Sequence, residues 1–136
     1  MSVNLKTKAA AETFEVKLVG TDDEPMLDDE GKQASITVYG PGSKAFARAS
    51  SDRAQRMVSR MKRHGKSKMS VEDQIAETSG FLAAITVSLN NCDYNGQKDP
   101  ESIKAMYADT ELGFIADQVQ KAVGDWANFT KASTTT

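Results

Sequence analysis

The sequence predicts an α+β fold: an N-terminal β-hairpin packed on a bundle of about four α-helices. Three observations predict it. Two short runs with strand character, "TFEVKLVG" from Thr13 and "SITVYGPG" from Ser35, both precede residue 43. Beyond residue 43, apolar residues recur three and four apart, the period of an amphipathic helix. Helix-start residues then punctuate the chain at Ser43, at Ser70 and at Asp99-Pro100. Strands followed by a run of helices point to α+β rather than to alternating α/β.

Residues 1–12 are polar and Ala/Lys-rich with no period, and are expected to form a mobile arm ahead of a single domain over residues 13–130. In the first run Phe14, Val16 and Leu18 alternate with Glu15 and Lys17, a strand with one wet face. The acidic stretch "TDDEPMLDDEGKQ" follows, with Pro25 and Gly31 as turn residues, and reads as the long loop of a hairpin. "SITVY" is the second strand. A two-stranded hairpin cannot stand alone and must lean on helices.

Ser43 caps a helix expected to run to about Arg63, which "HGKSK" ends at Gly65. Ser70 and Asp73 resemble a capping box and open a second helix, expected to continue through about Asn90. Its apolar positions are Val71, Ile75, Leu82, Ile85 and Leu89, with Phe81 beside them. Asp99 and Pro100 start a short third helix, "PESIKAMYA". The last helix is expected from near Thr110, where Leu112, Ile115, Val119, Val123, Trp126 and Phe129 form one apolar stripe. The tail 131–136, "KASTTT", has no reason to fold and is expected to be disordered.

At 136 residues, with 39% hydrophobic and 26% charged, the chain has the size and balance of one soluble globular domain. No apolar run approaches the roughly 20 residues that cross a bilayer, and the N-terminus lacks the apolar centre of a signal peptide. One Cys cannot form an internal disulfide, which fits a reducing, cytosolic setting. One His and one Cys also cannot build the usual zinc site. Nor is there a Gly-rich phosphate loop, a nucleophile elbow or a metal-ligand pair on one helix face. No enzyme, no metal and no cofactor is expected.

"NNCDYNGQKDPES", Asn90–Ser102, imitates a calcium loop. Counted from Asn91, Asn91, Asp93, Asn95, Gly96 and Asp99 fall in register, but the bidentate Glu of position 12 is replaced by Ser102. Turn chemistry is the simpler account: Asn-Gly supplies a left-handed turn and Asp99 caps the next helix.

Charge is segregated. The net charge is −2, yet residues 43–70 hold nine Lys/Arg against Asp52 alone. Arg53, Arg56, Arg60 and Arg63, three and four apart, line one helix face, and Lys62, Lys66 and Lys68 extend the positive region. Such a face suits phosphate contact, docking on an acidic protein surface, or plain solvation. Against nucleic acid, the chain is acidic overall and no aromatic residue lies between Phe46 and Phe81 to stack on bases. Met57 and Met61, beside Val58, form an apolar stripe that suits an adaptable binding surface but is expected in the core, since so long a helix needs a core face. Trp126 and Phe129 suit either a partner anchor or the last turn packing home.

The string "DDEPMLDDEGKQASITVYGPGSKAFARA" resembles a segment of small tailed-bacteriophage proteins: an acidic, turn-rich loop, a strand, then "GP-S-A" opening a helix. The ending "ELGFIADQVQKAVGDWANF" resembles the apolar helix that closes them. Together, over roughly Phe14 to Phe129, the chain resembles a tail assembly chaperone of the long, flexible-tailed phages. The resemblance implies a non-enzymatic role in the host cytoplasm: binding the long, helical tape-measure protein and keeping it soluble until tail-tube subunits polymerise around it. It also implies self-association into a homo-oligomer, possible contact with the tail-tube protein, and absence from the finished virion. It carries no catalytic residues. The residues expected to contact a partner are Met57 and Met61, with Arg53, Arg56 and Arg60 along the same helix. Two alternatives stand beside it, a minor structural protein of the tail or neck and a small nucleic-acid-associated factor.

Overall fold

The structure is a computed structural model that describes residues 2–64 and 70–129. Strands β1 (Thr13–Lys17) and β2 (Ser35–Tyr39) pair antiparallel, with Phe14 opposite Val38 and Val16 opposite Ile36. The expected N-terminal hairpin is therefore present. Its acidic connection is not an open loop but folds back twice, through bridges Val19–Pro25 and Leu27–Gln33. Leu18 N–H donates to Ala34 O (2.9 Å), Ala34 N–H to Met26 O (2.7 Å) and Met26 N–H to Leu18 O (3.1 Å), a closed triangle of backbone bonds. The acids sit on the two turns and serve them: Asp28 Oδ1 accepts from the N–H groups of Glu30 and Lys32. Asp22 Oδ1 accepts from Glu24 N–H.

Ser43 caps α1 (Lys44–His64), its hydroxyl accepting from Phe46 N–H at 3.1 Å. Helix α2 (Val71–Ala84) opens at Ser70, whose hydroxyl accepts from Asp73 N–H. This helix stops well short of Asn90, correcting the expectation. Thr86–Asn90 instead forms strand β3, which pairs antiparallel with the free edge of β2 in a sheet ordered β1-β2-β3. Two forces favour the switch. Ile85, Thr86 and Val87 are β-branched in succession, which suits a strand better than a helix. And β2, whose Ile36 and Val38 are fully buried, would otherwise leave one row of peptide groups unpaired.

Pro100–Ala108 forms α3, with Asp99 accepting from Ser102 N–H as its cap. After a 3-10 turn over Thr110–Leu112, α4 runs from Gly113 to Val123. The expected unbroken helix to Phe129 is corrected here too: it ends at Gly124, and a separate 3-10 turn covers Trp126–Phe129. Beyond that break Phe129 is fully buried, whereas Trp126 is 58% exposed.

The core lies between one face of the sheet and α2, α3 and α4, with Ile36, Val38, Leu82, Ile85, Val119 and Phe129 at its centre. The segment expected as a mobile arm holds a 3-10 turn at Leu5–Lys8, and Ala11 N–H donates to Phe129 O. The expected disordered tail, 131–136, lies outside the described residues.

Candidate functional site

Helix α1 extends past the core, and its two flanks differ. The inner flank faces the antiparallel α2. Near the base, Phe46 meets Phe81 edge-on, centroids 5.4 Å apart. Two turns further, the half-buried Arg53 places its guanidinium carbon 5.0 Å from the Phe81 ring centre, a cation–π contact. Beyond it Arg56 Nε donates to both oxygens of Glu77, at 2.7 and 2.9 Å. Last, Arg60 donates to Asp73 Oδ2 at 3.3 Å. Arg56 and Arg60 are four apart on α1, and Asp73 and Glu77 four apart on α2, so antiparallel helices bring them together as rungs. Each pair keeps an exposed partner, so screening limits it to about 0.5–1 kcal/mol. The arginines expected to meet a partner are thus placed together, but against α2. Arg63 lines the same side, in a cleft with Asp52 and Arg56. Lys66 and Lys68 lie outside the described residues.

The outer flank is different. Met57, Val58 and Met61 are 46%, 51% and 49% exposed. Their expected burial is corrected: α1 gives the core Ala49, with Phe46 at its edge, and beyond Ser50 it meets α2 through arginines. Met57 also lines a groove of about 500 Å³ with Phe46, Ala54, Phe81, Leu82 and Val123. Apolar side chains make up just over half of its walls, and Ser50, Arg53, Thr78 and Gln120 are the polar ones. Sequence reasoning missed the groove, because its walls come from α1, α2 and α4. The matched spacing of the two acids and two arginines was available as a signal for the helix pairing.

Elsewhere the polar groups serve the fold. In the loop after β3, Asp93 Oδ1 accepts from Gly96 N–H (2.7 Å), and Asn95 and Gly96 take left-handed φ values of 54° and 80°. The Ser102 hydroxyl donates to Asp99 (2.6 Å) and holds that carboxyl below its usual range. Among the described residues no group of three or more His, Cys, Asp or Glu is placed to hold a metal ion. The half-buried Cys92 thiol is pushed up by burial and points at Ser35 O, 3.6 Å away. Among the described residues no helix is long and apolar enough to cross a membrane.

This chain matches no protein-family model, no curated protein and no solved structure.

Proposed function

We propose that the protein is a non-enzymatic phage tail assembly chaperone, which binds the tape-measure protein and keeps it soluble while the tail tube assembles. One observation carries this reading: a long helix projects Met57, Val58 and Met61 into solvent beside an apolar groove. Exposed methionines repack against varied side chains, as a surface that holds a long apolar helical client must. A helix laid into a groove is the simplest geometry for such a client. The engagement of Arg53, Arg56 and Arg60 with Phe81, Glu77 and Asp73 leaves fewer free cations for phosphate, which counts against the nucleic-acid alternative.

The test is affinity recovery of the tagged chain from phage-producing cells, compared with the Met57→Glu/Met61→Glu variant, with purified virions assayed alongside. The proposal expects a very long helical protein with the parent chain, its loss with the variant, and no chain in virions. Presence in virions would instead make the protein a structural subunit, and nuclease-sensitive recovery would make it a nucleic-acid-associated factor.

A further inference from the structure

Ala47, Ser51, Ala54, Val58 and Met61 step by four, three, four and three along α1, and all five are exposed. That is the alternation of a coiled-coil seam; Ala54 borders the groove, and among the described residues Ala47, Ser51, Val58 and Met61 line no part of it. Its lower half is small, so a second helix backbone can approach closely, and its upper half is large and apolar.

The two borders of this seam are unlike. On one side Ser50 and Met57 lead into the groove floored by Phe46 and Phe81. On the other side Arg48, Gln55 and Lys62 recur every seven residues, all exposed. Among the described residues neither Arg48 nor Lys62 is in an ion pair. Asp52, the one acid of α1, shares a cleft with Arg56 and Arg63. It borders Arg48 as well, which leaves Lys62 the less compensated of the two cations.

We propose that the free flank of α1 takes an amphipathic α-helix whose apolar stripe is bordered on its outer side by carboxylates that meet Arg48 and Lys62. This rests on the reading of that flank as the client-holding surface, and adds the chemistry of the client. Charge decides the occupant. A second copy of α1 laid antiparallel on the first would set Arg48 against Lys62, and like charges across a seam repel. An acidic helix meets the opposite sign at both ends of a span of about 21 Å, at 1.5 Å per residue. On its other edge the docked helix meets the groove, where Arg53 is already engaged with the Phe81 ring.

The experiment uses the full chain and two labelled synthetic helices of about 21 residues, the length of that span and two turns more. Both carry the same Leu/Ala seam; one has Glu at every outer-flank position and the other has Lys. Fluorescence anisotropy is expected to show the Glu helix binding about tenfold tighter or more at low salt, with the preference shrinking as salt is added. The Arg48→Glu/Lys62→Glu variant, changed only at exposed positions, is expected to reverse the preference. Equal binding of both helices would overturn the carboxylate requirement while leaving the client surface standing. Binding of neither would overturn both. Sedimentation showing a dimer that Met61→Glu dissociates would make a second copy the occupant and overturn the inference.

Discussion

Gly40 closes on the ring of Phe129 with no room for a side chain between them: a Cβ at residue 40 would overlap the ring itself. The contact joins the end of β2 to the last turn of the described chain. Phe129 is fully buried and meets Phe14 edge-on, with centroids 5.6 Å apart. Its carbonyl accepts from Ala11 N–H. One residue, through its ring and its carbonyl, thus ties both ends of the domain to the sheet.

Gly40→Ala is expected to cost about 1–3 kcal/mol, the usual penalty of overpacking a core that cannot yield. Phe129→Ala is expected to cost about 3–5 kcal/mol, because it empties a fully buried site. The two are expected to be strongly non-additive, since the smaller side chain makes room for the new methyl. Urea unfolding of both single variants and the double variant measures this. Additive losses would show that the glycine is not held by the ring.

The exposure of Met57 and Met61 makes the opposite prediction for α1. Met57→Ser/Met61→Ser is expected to leave unfolding stability within about 0.5 kcal/mol of the parent, as for surface substitutions generally. Were the pair packed in the core, each truncation would cost about 2 kcal/mol or more. Thermal and urea unfolding of the full chain separate the two cases.

The residues that were legible in the sequence are those whose local chemistry decides their structure. Ser43, Ser70 and Asp99 cap helices where their hydroxyl or carboxylate predicts, and the alternation Phe14–Val16–Leu18 gave the first strand. Strand β3 was not legible, for a specific reason. Thr37 pairs with Ser88 and Val38 with Thr86, so Val87 is an extra residue in the ladder and stands 44% exposed. That bulge breaks the two-residue alternation, and Leu89 then continues the helical spacing of Leu82 and Ile85 by coincidence. The end of α4 failed differently, since nothing in an apolar stripe announces that Gly124 and Asp125 will interrupt it. On the candidate surface, sequence located the arginines and methionines. It could not divide them between flanks, because that depends on where α2 lies.

Cys92 gives a chemical test of the same corner of the sheet. Burial holds its thiol above the ordinary range, and the thiolate is the reactive form. Alkylation by iodoacetamide at mildly alkaline pH is therefore expected to be about tenfold slower in the native protein than in urea. Adding denaturant during the reaction measures the difference. Equal rates would mean that the thiol is neither shielded nor shifted.

Tyr107 carries the clearest dependence on pH. Its phenol is buried and lies 2.8 Å from the Thr86 hydroxyl. The Thr86 hydroxyl donates its proton to Leu82 O, so in this pair Tyr107 is the donor. Burial pushes the phenol up to about 12, against 10.0 for an ordinary tyrosine. A group whose folded pKa is raised contributes stability that is complete below its unfolded value and lost as pH rises through the folded one. The window therefore runs from about pH 10 to about pH 12, with a loss on the order of 2–3 kcal/mol across it. The half-buried Tyr94 phenol, held up by the bond it donates to Asp109, adds a slope of the same sign. Tyr107→Phe is expected to cost about 1 kcal/mol at neutral pH, the price of one hydrogen bond. Its stability is then expected to fall less steeply above pH 10 than that of the parent, keeping only the Tyr94 slope. Urea titrations of both proteins at intervals from pH 8 to about pH 12, the span of the linkage, measure this. Parallel curves would show that Tyr107 ionises no less readily in the folded chain than in the unfolded one.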